Sequence, residues 1–226
     1  MNRKEITETL AHHSMAVVGG FFGVYALFMR EEIFGSSETT NLIYLVISGM
    51  EGSFLSFFVR MGAIVCYIAG IVTATLGPKY MKKYDFRFVS VAMDAAACLV
   101  LARIPGDVHP VVALYPMFFA TAVQWLAFTQ AAGFGSATIF STNNLRQCFA
   151  GLTEYLHSRD PGQLRRFRFY GGTLLCFHVG VVFGWFCMRL WGIRSIYACL
   201  LPLALGAAAT WKDYRTEPDD SAGASL

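Results

Sequence analysis

Two short motifs rich in Thr and Asn are the residues of this chain best suited to binding chemistry. Thr39-Thr40-Asn41-Leu42 is echoed by Thr142-Asn143-Asn144-Leu145. Thr, Ser and Asn side chains cap helix N-termini, because their oxygens accept from backbone N–H groups that the first turn leaves unpaired. If the following helices enter a membrane halfway, those N-termini would face its centre and favour polar or anionic ligands. The motifs predict either a ligand or permeation site lined by Thr40, Asn41, Thr142, Asn143 and Asn144, or caps and interhelical hydrogen bonds that hold a helix bundle.

Two ionisable residues, Asp94 and His178, lie inside apolar runs. Such groups are expensive in lipid and usually face the bundle interior or a water-filled cavity, which favours proton coupling or recognition of substrate charge. The alternatives are a salt bridge from Asp94 to Arg60 or Arg103, a misplaced span edge, and a neutral, hydrogen-bonded core histidine at position 178. Gln124 is a further candidate for the polar site, although a role in holding the bundle together fits its uncharged side chain better.

Signatures of soluble catalysis are missing from the sequence. There is no Ser-His-Asp order, no phosphate-binding Gly loop, no Cys pair with metal-ligand spacing and no His-Glu-x-x-His helix. The six cysteines fall mostly in apolar runs and are expected to be packing thiols. His12-His13 is expected to be interfacial rather than metal-binding. We therefore expect no enzyme, no cofactor and no metal site. An intramembrane enzyme is a third alternative, and it would need Asp94 and His178 to face one shared cavity.

Apolar helices must position these residues. The chain is 55% hydrophobic and 15% charged, whereas soluble domains carry about 25% charged residues. A helix needs roughly 20 apolar residues to cross a bilayer and satisfies its own backbone hydrogen bonds there. About six spans are predicted: Ser14–Arg30, Phe54–Gly77, Phe88–Ile104, Pro110–Ala132, Phe169–Arg189 and Ile193–Trp211.

The distribution of Lys and Arg predicts the orientation. Thirteen of these residues fall on the side that holds both termini and five on the other side. Because basic loops stay in the cytoplasm, both termini are expected to be cytoplasmic. The N-terminal segment 1–13 is then a cytoplasmic extension, and the polar tail 212–226 is expected to be disordered. The net charge of +3 is scattered over short loops, so no nucleic-acid partner is expected.

An internal duplication organises the spans. Residues 60–71 read RMGAIVCYIAGI and residues 170–181 read YGGTLLCFHVGV, so that Gly62, Cys66 and Gly70 match Gly172, Cys176 and Gly180 at one constant spacing. Together with the paired Thr/Asn motifs, this predicts two three-span repeats, 14–106 and 107–211. An odd number of spans makes the repeats inverted, as in many secondary transporters. Each repeat would also carry a short half-inserted or interfacial helix, since about 12 residues are too few to cross; if they did cross, the repeats would be parallel.

The spacing Gly180-x-x-x-Gly184 lets two helices approach closely. Packing within the chain is the first interpretation, and a homodimer is the second.

The sequence resembles the YoaK-like family of bacterial multi-pass membrane proteins, whose domain has no assigned function. The resemblance covers about residues 12–211 and is carried by His12/His13 before Gly19-Gly20-Phe21-Phe22-Gly23-Val24-Tyr25, Ser36/Ser37 before the first motif, Gln124-Trp125, Gly133-Phe134, Ser136, and the run 138–146. The family's usual motif is Thr-Gly-Asn-Leu, and this chain has Thr40 and Asn143 in place of the glycine. The resemblance implies a six-span protein of the bacterial cytoplasmic membrane and no established activity.

These patterns favour an all-α membrane protein that acts as a secondary transporter or permease for an unidentified small solute, with a polar site where the repeats meet. Its expected partners are the lipid bilayer and a small polar or anionic solute. The alternative is a membrane scaffold or accessory subunit that does not transport.

Overall fold

The computed structural model describes residues 2–30, 38–81 and 84–216, and within these ranges the chain is almost wholly helical. The helices are α1 Arg3–Met29, α2 Glu38–Met50, α3 Phe54–Tyr80, α4 Phe86–Leu101, α5 Pro110–Ala113, α6 Tyr115–Ala127, α7 Thr142–Ser158, α8 Pro161–Trp191 and α9 Leu200–Tyr214. A two-stranded antiparallel hairpin, β1 Gln130–Ala131 and β2 Phe134–Gly135, follows α6. A 3-10 segment, Gly192–Cys199, joins α8 to α9.

Three helical stretches are long and apolar enough to cross a membrane: Arg3–Met29, Phe54–Tyr80 and the continuous stretch Pro161–Tyr214. In α3 only 17% of the most apolar window is buried inside the protein, so apolar side chains such as Phe58, Val65 and Ile68 face outward. An exposed apolar face of this extent is expected where lipid covers the protein. The structure is consistent with a helical membrane protein.

The remaining predicted spans differ from the observed helices. Helices α4, α6 and α9 have 16, 13 and 15 residues and are shorter than the other candidates. The predicted span Pro110–Ala132 was too long, because α6 ends at Ala127 and the chain turns through a hairpin. Ala132 and Gly133 both have positive φ there, which a continuing helix cannot contain. The predicted span Ile193–Trp211 begins as the 3-10 segment.

The C-terminal segment is also more ordered than predicted at its start. Helix α9 continues to Tyr214, because Asp213 is buried and accepts hydrogen bonds from Thr7 and Arg87. Residues 217–226 of the predicted disordered tail lie outside the described residues, as do Ser36 and Ser37.

Contacts at the two ends of the molecule fix the helix directions. At one end, here called the charged end, Thr7 and Arg87 both bond Asp213, and Arg165 pairs with Glu5 at 2.9 Å. Helices α1, α4 and α8 therefore begin at the charged end, and α9 ends there. At the opposite end, Arg30 donates to the carbonyls of Ile104 and Pro105, both at 2.9 Å. These bonds join the end of α1 to the residues that follow α4.

Glycines allow α1 and α8 to touch backbone to backbone. A Cβ at Gly180 of α8 would lie 1.9 Å from the Val17 carbonyl oxygen of α1, and a Cβ at Gly20 would lie 1.9 Å from that of Phe177. Gly184 also packs on α1, against Val24. The Gly180/Gly184 strip is thus used within the chain, which agrees with the first interpretation of that spacing. A homodimer would have to use another surface.

Candidate functional site

A cavity of about 640 Å³ touches the first turns of both α2 and α7. The first half of the chain contributes Glu38, Thr39 and Tyr67 to its wall. The second half contributes Trp125, Phe140, Thr142, Asn143 and Arg146. We call this space the motif cavity. Because α2 and α7 both begin at it, the two halves of the chain meet there around polar side chains.

On the wall from the first half, Glu38 opens α2 with a carboxylate that lacks a partner. Both carboxylate oxygens are buried, and neither has a hydrogen-bond partner among the described residues. Glu38 lies outside the three stretches long enough to span a membrane. Burial raises the pKa of Glu38 from 4.5 to about 7, and the nearby Asn41 amide opposes this shift only in part. Glu38 therefore titrates near neutral pH.

Asn41 anchors the first turn of α2 to α3. Its side chain is buried, and its Oδ1 accepts from Arg60 Nη1 at 3.1 Å. The Arg60 guanidinium also lies 4.2 Å from the centre of the Tyr44 ring, within cation–π range. These contacts hold the beginning of α2, and with it Glu38, in a fixed position on α3.

On the wall from the second half, polar and aromatic side chains lie next to each other. Thr142, Asn143 and Arg146 are exposed on the first turns of α7. Asn143 Oδ1 accepts from Arg146 Nη2 at 2.9 Å. Trp125 meets Phe140 edge to face at 5.3 Å between ring centres. This wall can offer a cation, hydroxyl and amide groups, and an apolar surface to one ligand.

A buried chain of hydrogen bonds holds the segment that leads into α7. His12 Nε2 donates to Ser136 Oγ at 3.0 Å, and Ser136 Oγ donates to Asn144 Oδ1 at 2.9 Å. Asn144 Nδ2 then donates to the carbonyls of Ala137 and Phe140, at 2.7 and 3.0 Å. The chain satisfies backbone groups in a segment that is neither helix nor strand, which positions the start of α7.

The same irregular segment is packed directly on α1. Gln124 Nε2 donates to the Met15 carbonyl at 3.0 Å and to Thr138 Oγ1 at 2.9 Å. A Cβ at Gly19 would lie 2.2 Å from the Thr138 carbonyl oxygen, so only glycine allows this approach. Thr138 and Ile139 are fully buried. Buried irregular backbone needs such partners, because its N–H and C=O groups are not paired in a helix or sheet.

A family model described as "Protein of unknown function (DUF1275)" matches residues 12–209, which is most of the chain. The chain belongs to the DUF1275 family. This confirms the resemblance to YoaK-like membrane proteins, which is consistent with that family. No curated protein and no solved structure matches the chain significantly.

In this DUF1275 protein the motif residues and Gln124 divide into three groups. Thr142 and Asn143 line the motif cavity, together with Thr39. Asn41, Asn144 and Gln124 are buried and hydrogen-bonded to protein groups, which is the role that the alternative interpretation gave them. Thr40 is exposed and lies outside the cavity wall.

The two motifs lie in the first turns of α2 and α7 rather than at the cap positions. Ser141 precedes the first residue of α7, but its side chain makes no cap hydrogen bond. The residue before α2 lies outside the described residues.

The two ionisable residues of the apolar runs, Asp94 and His178, lie in different environments. Asp94 is fully buried in α4, and neither of its carboxylate oxygens has a hydrogen-bond partner in the described part of the chain. The suggested salt bridges are not formed, since Arg60 bonds Asn41 and Arg103 donates to the Leu99 carbonyl at 2.7 Å. His178 lies on the exposed face of α8, where Nδ1 donates to the Leu174 carbonyl at 2.7 Å. Asp94 and His178 therefore do not share a cavity.

Sequence reasoning did not identify Glu38, Tyr67, Trp125 or Arg146 as site residues. A signal was present for two of them: Glu38 directly precedes the first motif, and Arg146 lies three residues after Asn143, hence on the same face of a helix. Tyr67 and Trp125 reach the cavity only through the packing of α3 and α6. Trp125 belongs to the Gln124-Trp125 pair of the family resemblance, but that pair did not assign it to a site, and nothing in the local sequence of Tyr67 distinguishes it from a core aromatic.

Proposed function

We propose that this protein is a small secondary transporter or permease whose substrate site is the motif cavity. The observation that carries the proposal is that one cavity is lined by the first turns of both α2 and α7, one from each duplicated half. Transporters built from inverted repeats bind their substrates where the repeats meet, near the ends of interrupted helices. The buried irregular segment between α6 and α7 is an interruption of that kind.

Equivalent contacts in the two halves support an inverted repeat. Gly62 of α3 faces Tyr115 of α6, and its counterpart Gly172 of α8 faces His13 of α1. Gly70 of α3 likewise faces the Phe119 carbonyl of α6, whereas Gly180 of α8 faces that of Val17 in α1. The two contacted residues also correspond, because Tyr115 follows His13 by the same number of residues as Phe119 follows Val17. A two-fold axis would then superimpose α1 on α6 and α8 on α3.

In this proposal α4, α6 and α9 also cross the bacterial cytoplasmic membrane, giving six crossings with both termini in the cytoplasm. The charged end is the cytoplasmic end, since Arg87 and Arg165 lie there. Helices α2 and α7 then belong to opposite leaflets.

Labelling of introduced cysteines tests the orientation. In a chain whose six cysteines are replaced by Ser or Ala, Glu51→Cys follows α2 and Ser158→Cys ends α7; both positions are exposed. A membrane-impermeant maleimide is expected to label position 51 in intact cells with an opened outer membrane, and position 158 only in inside-out vesicles. Labelling of both positions from the same side would overturn the inverted arrangement.

Uptake into reconstituted vesicles tests the transport proposal. Thr39→Ala, Thr142→Ala and Asn143→Ala remove side chains from the cavity wall without touching the buried hydrogen-bond chain. We expect each to lower solute uptake, while Thr153→Ala, an exposed change farther along α7, leaves it unchanged. Undiminished uptake by the triple variant would end the site proposal.

A membrane scaffold that does not transport is the second candidate. Helices α1 and α8 touch backbone to backbone at Gly20 and Gly180, and such close contacts favour a helix bundle with a fixed arrangement. Chemical crosslinking in native membranes discriminates between the two. A stable partner protein, together with no solute that changes the thermal stability of the chain, would favour the scaffold.

A further inference from the structure

We infer that the motif cavity takes a small zwitterion with an apolar body, such as an apolar α-amino acid, with Glu38 holding the ammonium group and Arg146 the carboxylate. The inference rests on the proposed function, because it names the substrate class of the same cavity.

Two residues of opposite charge line the cavity without pairing with each other. Within the described residues, Glu38 and Arg146 form no ion pair, and neither carboxylate oxygen of Glu38, both of which are buried, has a hydrogen-bond partner. Among the described residues, the exposed Arg146 donates one side-chain hydrogen bond, from Nη2 to Asn143, so other N–H donors of its guanidinium can serve a ligand. A buried charged group without a partner is costly, so the cavity favours a ligand that supplies one.

The position of the two charges selects a ligand that carries both signs. Glu38 begins α2 in the first half of the chain, and Arg146 lies in α7 of the second half. An anion alone would pair with Arg146 but leave Glu38 unsatisfied. A cation alone would pair with Glu38 but leave Arg146 without a ligand. A zwitterion pairs with both residues and so bridges the two halves.

The rest of the wall suits an apolar body. Tyr67 is only 7% exposed and forms part of the wall, and Trp125 and Phe140 stand edge to face beside it. Thr39 and Thr142 add hydroxyl groups. A volume of about 640 Å³ is in the range of small-molecule sites, which is about 300–1,000 Å³. Most of the ligand surface would therefore contact aromatic rings, and its two charged groups would set its orientation.

Titration of Glu38 links this binding to protons. The pKa of Glu38 is raised to about 7 by burial, so near neutral pH a substantial fraction of the carboxyl is uncharged. An ammonium group favours the charged form, hence binding releases a proton and strengthens as pH rises through 7. Among the described residues, the titratable and charged groups that face Glu38 are Cys66 and Tyr67 on α3, Arg60 through its bond to Asn41, and Arg146 in the wall from the second half.

Calorimetry on the purified full chain in detergent tests the inference with ligands that differ by one charge. L-leucine and L-phenylalanine represent the class. Leucinamide lacks the carboxylate, and 4-methylpentanoate lacks the ammonium group. We expect binding of at least one amino acid, and binding about tenfold or more weaker for either leucine derivative, since each derivative loses the hydrogen bonds of one charged group.

Protein variants complete the comparison. Glu38→Gln should weaken leucine binding and remove its advantage over 4-methylpentanoate. Arg146→Gln should remove its advantage over leucinamide. Glu154→Gln on α7 and Arg168→Gln on α8 are the matched controls, because both side chains are exposed and outside the cavity. If a cavity variant fails to fold, the comparison of ligands on the unmodified chain still decides the matter.

The inference is overturned if neither amino acid binds, or if removal of one ligand charge leaves the affinity unchanged. Its failure is separable from failure of the proposed function. Charge-selective binding of leucine without uptake into vesicles would support the ligand class and contradict transport. Uptake of an uncharged solute that Thr142→Ala abolishes, with no amino-acid binding, would support transport and contradict the inference.

Discussion

The contact between α1 and α8 gives the sharpest quantitative prediction, for the substitution Gly180→Ala. The new Cβ would lie 1.9 Å from the Val17 carbonyl oxygen, whereas real Cβ contacts are essentially never shorter than 3.0 Å. The two helices would therefore have to separate by at least 1.1 Å. The obstructing atom belongs to the backbone of α1, so no side-chain rotation can relieve the clash.

The expected magnitude follows from two opposing terms. Overpacking a close contact costs about 1–3 kcal/mol, and a clash with backbone belongs at the upper limit. Exchanging a helical Gly for Ala returns about 1 kcal/mol through helix propensity. The net loss is about 2 kcal/mol, which for a chain of this length lowers the melting temperature by about 4–8 °C.

Thermal unfolding in detergent, followed by tryptophan fluorescence at one heating rate, measures this effect. Gly171→Ala is the matched control on the same helix, because its Cβ would meet only Cys148 Sγ at 3.6 Å, an ordinary contact. The control should melt at or slightly above the unmodified chain. Gly20→Ala should resemble Gly180→Ala, and the double variant should lose less than the sum since both methyl groups separate the same two helices. The reasoning is refuted if Gly180→Ala melts no lower than Gly171→Ala.

Three further predictions concern the polar contacts. Asn144→Ala should cost about 1–3 kcal/mol of stability, because it leaves buried backbone carbonyls unpaired, whereas Asn143→Ala at the exposed neighbouring position should change stability by less than about 0.5 kcal/mol in the same melting experiment. Asp213→Asn should destabilise the chain by up to about 3 kcal/mol, because Asp213 is buried and pairs with Arg87 at 2.7 Å; an unchanged melting temperature would show that this pair contributes nothing. For Glu38, whose pKa is raised from 4.5 to about 7, the folded chain favours the neutral acid, so its contribution to stability falls as pH rises from 4.5 to 7 and stays constant above. Without ligand, Glu38→Gln should therefore gain in melting temperature relative to the unmodified chain between pH 5 and pH 8, and a constant difference would contradict the assigned pKa.

Segment-level features of this protein could be read directly from its sequence. The long apolar runs become α1, α3 and α8, and the two Thr/Asn motifs do mark the starts of α2 and α7. These properties are local, because hydropathy and capping depend on a segment and its solvent rather than on distant residues. The early end of α6 was not local in this sense, since the hairpin after Ala127 is held by contacts with α1 such as that of Glu8 with the Ala132 N–H.

The tertiary structure alone decided which polar side chains face the motif cavity. Asn143 and Asn144 are adjacent in sequence, yet one is exposed at the cavity and the other is buried in hydrogen bonds, because successive residues of a helix point about 100° apart. Glu38 and Arg146 come to line the same cavity only through the packing of α2 on α3 and of α7 on α8. The sequence indicated where α2 and α7 begin, and the packing of helices distant in the chain determined which side of each beginning meets the cavity.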